Sequence, residues 1–235
     1  PLAQKTLDKA FFYNGFADHF LTDAFAAGHI RVPRRQLKEW AEKNMGGFFK
    51  KDKGNIISLA FHDSEGKDRE GHEIGLAVEN SLGQTWRTQS DGKLNECTQD
   101  EELPIANPVK AVYYSVREVL QAYKSGQVPK GKFEATLLVP FPAKGESFFS
   151  KYPADDENID ATAVWLRSTL IFSLRVILSH ENVKTFLRSL PEILQTFRQE
   201  IQEELRSEVS GESSHGAELS ERLPAKYIEA YSHIQ

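Results

Sequence analysis

Near the start of the chain, His19, Asp23 and His29 stand with three residues between the first pair and five between the second. On a helix, positions i and i+4 lie one above the other, so this spacing directs His19 and Asp23 toward one point. Gly28 follows two alanines and can take the left-handed backbone that closes a last turn. The chain would then curl back and deliver His29 to the same point. Two imidazoles and a carboxylate suit a borderline divalent ion such as zinc. A plainer reading competes with this one. Residues 10–27 also carry Phe11, Phe12, Phe16, Phe20, Leu21 and Phe25. Most of that helix should therefore be buried, and a polar pair on a buried helix is often a satisfied His–Asp hydrogen bond that only holds structure.

A zinc enzyme needs at least three protein ligands and an open position for water. His62 is the best further candidate, because it ends an apolar run where the chain turns polar, and Asp63 can ligate beside it or orient its ring. His72 with Glu73, or Asp68 with His72, are alternatives in the same region, with solvated surface histidine as the plain reading of both. His180 is expected at the end of a core helix, where it would interact with the negative end of the dipole. His215 and His233 read as solvated tail residues. Ser179 beside His180 lacks the glycines of a nucleophile elbow, and no phosphate-cradling or dinucleotide-binding glycine motif occurs.

His19-Phe-Leu-Thr-Asp23 followed by His29 resembles the His-x3-Asp-x5-His signature of the zinc-dependent phospholipase C and single-strand nuclease superfamily. The likeness is closest to a bacterial phospholipase C branch, in which a His-Gly-like turn, Arg and Pro-Arg follow, as in residues 29–34 here. It is specific over residues 10–35 and vague beyond residue 95. The resemblance implies a mainly helical enzyme with up to three zinc ions, held here by His19, Asp23, His29 and His62, with Asp63 as a further ligand. Asp23 would also serve as the catalytic base. Two departures qualify the pattern. Other members carry His-x3-Asp or His-x3-Glu where His62 is followed at that offset by Gly66, and none of residues 1–18 is a histidine that could supply the early ligands. Those ligands are expected to be lost or to sit on a separate chain.

The elements that must position these groups follow from composition and pattern. The 235 residues hold 40% hydrophobic and 27% charged side chains, ordinary for a soluble globular chain. A net charge of −5 argues against a protein held to nucleic acid mainly through phosphates, though not against a metal-dependent nuclease. No run approaches the ~20 apolar residues that span a bilayer. Cys97 is the only cysteine, so no internal disulfide forms. A start at Pro1 rather than Met suggests a mature, processed or trimmed product, and a secreted or periplasmic bacterial location is what the phospholipase C resemblance implies.

Helices are expected over residues 6–27 and 34–44, the second stopped by Gly46-Gly47, followed by a basic, aromatic-bearing loop at 48–54. Residues 55–62 fit either a short strand or a buried helix, and 63–71 an exposed charged loop. A hairpin is expected across 80–83, then a turn at Asp91-Gly92. A helix at 107–123, an extended segment at 132–140, and a loop at 141–156 exposing Phe148, Phe149 and Tyr152 come next. A central core helix over 160–180 and a helix from Pro191 to 209 complete the domain. The expected fold is thus mainly α, a helical bundle of the zinc phospholipase C type with a small β-hairpin insertion at 55–95. Residues 1–209 form the domain, 210–222 a flexible linker and 223–235 a C-terminal tail.

The function expected from these residues is metal-dependent phosphodiester hydrolysis, most closely a phospholipase C acting on phospholipid headgroups. Peripheral membrane contact would be made through Phe48, Phe49, Phe148 and Phe149, with Lys50, Lys51 and Lys53 favouring anionic lipid. Ordinary loop packing and solubility compete as the reading of these patches. The alternatives are a zinc-dependent single-strand nuclease and a non-catalytic helical module that keeps a relic metal site.

Overall fold

The computed structural model describes residues 2–94, 103–128 and 133–210. Cys97, His215, His233 and the expected linker and tail lie outside these residues. The chain is mainly helical with a small antiparallel sheet. In order it runs α1 (Leu2–Asp23), α2 (Ala27–Ile30), α3 (Arg34–Asn44), α4 (Lys50–Ser64), β1 (Leu76–Glu79), β2 (Thr85–Thr88) and α5 (Leu103–Ser125). Then follow α6 (Glu134–Leu138), β3 (Phe141–Pro142), α7 (Phe148–Lys151), α8 (Ile159–Ser168), α9 (Phe172–Ile177) and α10 (His180–Ser210).

The largest core lies between α3, α4, α8 and α10, where Leu37, Ile57, Phe61, Leu166, Phe186 and Leu187 are fully buried. α3 has the span its pattern predicts, ending at Asn44, and the N–H of the following Met45 reaches back to the Ala41 carbonyl at 3.0 Å. The ambiguous run after it is helical, because α4 buries Ile56, Ile57, Ala60 and Phe61 together at helical rather than alternating spacing. The loop expected at 48–54 is correspondingly shorter, since α4 already starts at Lys50. A second core joins Phe25 to Ala111 on α5 and to Leu138 and Val139, and a third packs Ala27 and Ile30 against Leu76 and Val78 of the sheet.

The hairpin forms where expected, with Glu79 opposite Thr85, and β3 adds to the other side of β1 to give the order β2-β1-β3. Pro142 therefore sits on an edge strand, the place a residue without an N–H can occupy.

Several expectations are corrected. The first helix ends at Asp23, and Phe12, Phe16 and Phe20 are 74%, 65% and 58% exposed. Among the described residues the main packing partner of α1 is α5. Residues 134–138 are helical rather than extended. Phe148 and Tyr152 are buried, not exposed, because α7 folds them onto Phe61 and Trp165. The single core helix expected at 160–180 is broken into α8 and α9, and Ile171, Phe172 and Val176 face outward. His180 consequently opens α10 instead of ending a helix, and Pro191 lies inside α10. No helix among the described residues is long and apolar enough to cross a membrane.

Candidate metal centre

Three segments far apart in sequence meet at one point. α2 is a single helical turn carrying His29, and the sheet holds it from one side. The Ala27 N–H donates to the Gln89 carbonyl at 2.9 Å, and the Thr88 hydroxyl donates to the Phe25 carbonyl. These bonds tie the end of β2 to residues 25–27, so Asp91, in the turn just beyond, is carried to His29.

α4 brings His62 from the other side. Its approach depends on Gly28, where a Cβ would stand 2.6 Å from His62 Cδ2 and 2.8 Å from the His62 carbonyl oxygen. Any side chain there would push α2 and α4 apart. Gly28 is thus needed for close approach; it is helical, not left-handed as the sequence suggested. Past α4, Gly66 takes φ +76° and passes close to Ser90, which draws the end of α4 toward the same loop.

A buried ion pair pins the two histidine-bearing segments together. Arg31, two residues after His29, donates from Nε and Nη2 to the two carboxylate oxygens of Glu65, three residues after His62, each at 3.1 Å. Both side chains are almost wholly buried. Tyr152 donates to the same carboxylate at 2.9 Å, and Arg31 Nη1 reaches the Glu146 carbonyl at 3.3 Å. Burial works against the Arg31 charge and Glu65 outweighs it, leaving the guanidinium pKa raised. Burial likewise pushes the Tyr152 hydroxyl well above its usual range. Glu65 had been expected in an exposed loop, yet it is the buried acceptor of this network. A charge run hides such a residue, because only the fold says which of its members turns inward.

At the meeting point, Asp91 Oδ2 lies 3.0 Å from His29 Nε2 and 3.0 Å from His62 Nε2, and the two imidazole nitrogens are 3.2 Å apart. The ligand-capable atoms of the three residues all fall within 4.8 Å of one another. On its far side, His62 Nδ1 meets Asp63 Oδ1 at 2.9 Å. That hydrogen bond raises the His62 pKa; burial opposes it, and the Asp91 and Asp63 charges reinforce it. A neutral His62 that donates from Nδ1 to Asp63 has a lone pair on Nε2, facing the carboxylate and the other imidazole. One proton on His29 Nε2 cannot satisfy both neighbours fully. With its pKa raised, His62 can instead carry a second proton and donate from Nε2 to Asp91, so either protons or a bound cation can hold the three atoms together. Asp91 is 45% exposed, so the cluster opens to solvent.

The sequence-derived candidates divide. His29 and His62 come together, with Asp63 bonded to His62 from behind. His19 and Asp23 do not join them. They face each other at 3.5 Å on the exposed side of α1 and belong to no group of three metal-capable side chains among the described residues. The physical reason is the stop at Asp23: the chain leaves the helix through residues 24–26, buries Phe25, and turns His29 toward α4. Asp91 was read only as a turn residue, and no local spacing marks it. A second group, Asp68, Glu70 and His72, is solvent-facing, and His72 Nδ1 is bonded to Asp68 at 2.9 Å. His180 contacts Asp160 at 3.3 Å, beside Lys184.

Comparison with family models, curated proteins and solved structures finds no match to this chain.

Proposed function

We propose that His29, His62 and Asp91 hold a divalent cation, zinc by ligand preference, and that the chain is a metal-dependent phosphodiester hydrolase. The observation that carries this reading is the convergence of two imidazole nitrogens and a carboxylate oxygen within 4.8 Å, open to solvent. Of the phospholipase C-like signature in residues 10–35, only His29 takes part in this cluster, while His19 and Asp23 lie apart on α1. Three protein ligands with an open position is the pattern of catalytic rather than structural zinc. When bound, such an ion supplies Lewis acidity toward a phosphate oxygen and acidifies water toward neutrality.

The chain's own residues have distinct tasks. Asp63 orients the His62 ring and fixes which nitrogen faces the site. Arg31 and Glu65 hold the α2 and α4 segments in register. Asp91, the most exposed of the three ligands, is the group best placed to accept a proton at its carboxylate from water entering the site. A cavity of about 320 Å³ beside Asp63 is bordered by Lys67 and Arg69 but also by Asp68 and Glu70, and Lys67 pairs with Glu73 at 3.7 Å.

The test pairs metal analysis with activity. Purified chain should retain about one zinc and hydrolyse a generic phosphodiester ester, and His62→Ala or Asp91→Ala should lose both together. Metal retained in both variants, or activity untouched by chelation, would refute the assignment. Micellar phosphatidylcholine against single-stranded DNA separates a phospholipase from a nuclease. Bound zinc with neither activity would leave a metal-stabilised helical module, which the Arg31–Glu65 network at the cluster's back also favours.

A further inference from the structure

The turn between α3 and α4 presents two phenylalanines to solvent at a conformational cost. Phe48 is 88% exposed and Phe49 61%. Phe49 adopts φ 67° and ψ 31°, the left-handed region, and is the one non-glycine residue with positive φ among the described residues. A bulky side chain is disfavoured there, and glycine or asparagine would relieve it. Electrostatics adds a second local penalty. Lys50 and Lys51 occupy the first turn of α4, the positive end of its dipole, and Asp52 in the same turn offsets only one of the two charges. Lys53 turns back and donates to the Gly46 carbonyl at 3.1 Å, which braces the turn. Residues 43–53 hold four lysines and one aspartate, a local charge of +3 on a chain whose total is −5.

We infer that this turn is a docking tip for an anionic lipid surface, with Phe48 and Phe49 entering the headgroup–acyl boundary and Lys43, Lys50 and Lys51 meeting lipid charge. Two rings on a narrow turn offer far less than the ~1,000 Å² expected of a stable protein interface. They do match the way aromatic residues sit at a bilayer boundary while lysine stems extend their ammonium groups to the headgroups. The positive local charge on an acidic chain supplies the orientation: the tip is drawn to a negative surface that the remainder of the molecule avoids. The inference is independent of the metal cluster, because none of its residues belongs to it.

Co-sedimentation of the full chain with vesicles tests it, in chelator so that no hydrolysis intervenes. The chain should bind phosphatidylcholine vesicles containing phosphatidylserine, bind pure phosphatidylcholine far less, and release as salt is raised. Phe48→Ser should weaken binding about tenfold or more, and Lys50→Gln with Lys51→Gln by about fivefold per site. Phe49→Gly provides the safeguard against misfolding: it relieves the left-handed strain, so it should raise the thermal midpoint while lowering vesicle affinity. Phe16→Ser, on the exposed ridge of α1, should leave binding unchanged. Equal binding to both vesicle types, undiminished binding of the Phe48 and lysine variants, or loss through Phe16 instead would overturn the inference. Concentration-dependent self-association abolished by Phe48→Ser, without vesicle binding, would do so in favour of a second copy of this chain.

Discussion

Two histidine–aspartate arrangements in this molecule use the same side chains and differ in how they are made. His19 and Asp23 lie one helical turn apart on α1, with the histidine 66% exposed, and they require nothing beyond the helix. His29, His62 and Asp91 come from three segments, with 62 positions separating the first from the last. They require a short helix, a long helix and a hairpin end to be fitted together. The local pair offers two groups in water, where neither is pre-aligned. The non-local trio offers three, two of them half-buried, with one ring oriented from behind. Local spacing can announce a site, but convergence of several lone pairs needs tertiary contacts to hold the groups against their mutual repulsion.

If that contrast is right, the trio should be fragile to changes far from its ligands. The largest effect is expected from Glu65→Leu, which strands the buried Arg31 charge and should cost about 3–5 kcal/mol in urea denaturation. The paired change Arg31→Met with Glu65→Leu should cost less than Glu65→Leu alone, since the most deeply buried charge goes with its partner and only Lys151, 3.8 Å from Glu65, loses a counter-charge. Next, Gly28→Ala should destabilise by about 1–3 kcal/mol through its clash with His62 and lower zinc affinity with it. Calorimetric melting and zinc titration on the same variant would check both. If Gly28→Ala binds zinc normally, the close approach of α2 and α4 is not what builds the site.

Asp63→Asn sharpens the comparison further. It should weaken zinc binding by about 10–100-fold while the three ligands remain. It should also change the pH dependence of the metal-free protein. His62 has a raised folded pKa, chiefly through Asp63, so its contribution to stability is fully present below the unfolded value near 6.5. That contribution is lost as pH rises through the higher folded value. Asp63→Asn should flatten this fall in chemical denaturation series run upward from about pH 6.5. The smallest effect is assigned to His19→Ala, which should alter zinc affinity by less than about twofold, within the error of treating a surface pair as negligible. A large loss there would return the motif on α1 to the centre.

The expected site was legible only in part. His29 was readable from its spacing after His19 and Asp23, though those two do not join it, and His62 from its place at the end of an apolar run. Asp63 was readable as the orienting partner because it is adjacent. Asp91 was not, since an Asp-Gly turn has the same composition whether or not its carboxylate meets two imidazoles. Phe48 and Phe49 read as exposed and are so, whereas Phe148 looked equivalent and is buried. Nothing local separates the two phenylalanine pairs.

Taken alone, the amino-acid order determined the span of α3, the hairpin at 80–83, the helix through 107–123 and the mainly helical class. Each of these depends on periodicity or on residues that only one backbone conformation suits. Tertiary structure decided the rest: which flank of α1 is covered, whether 160–180 is one helix or two, and which acid closes the triangle on the histidines. Those outcomes turn on contacts between residues dozens of positions apart. Their energies belong to pairs of surfaces, and no single stretch of chain contains both members of a pair.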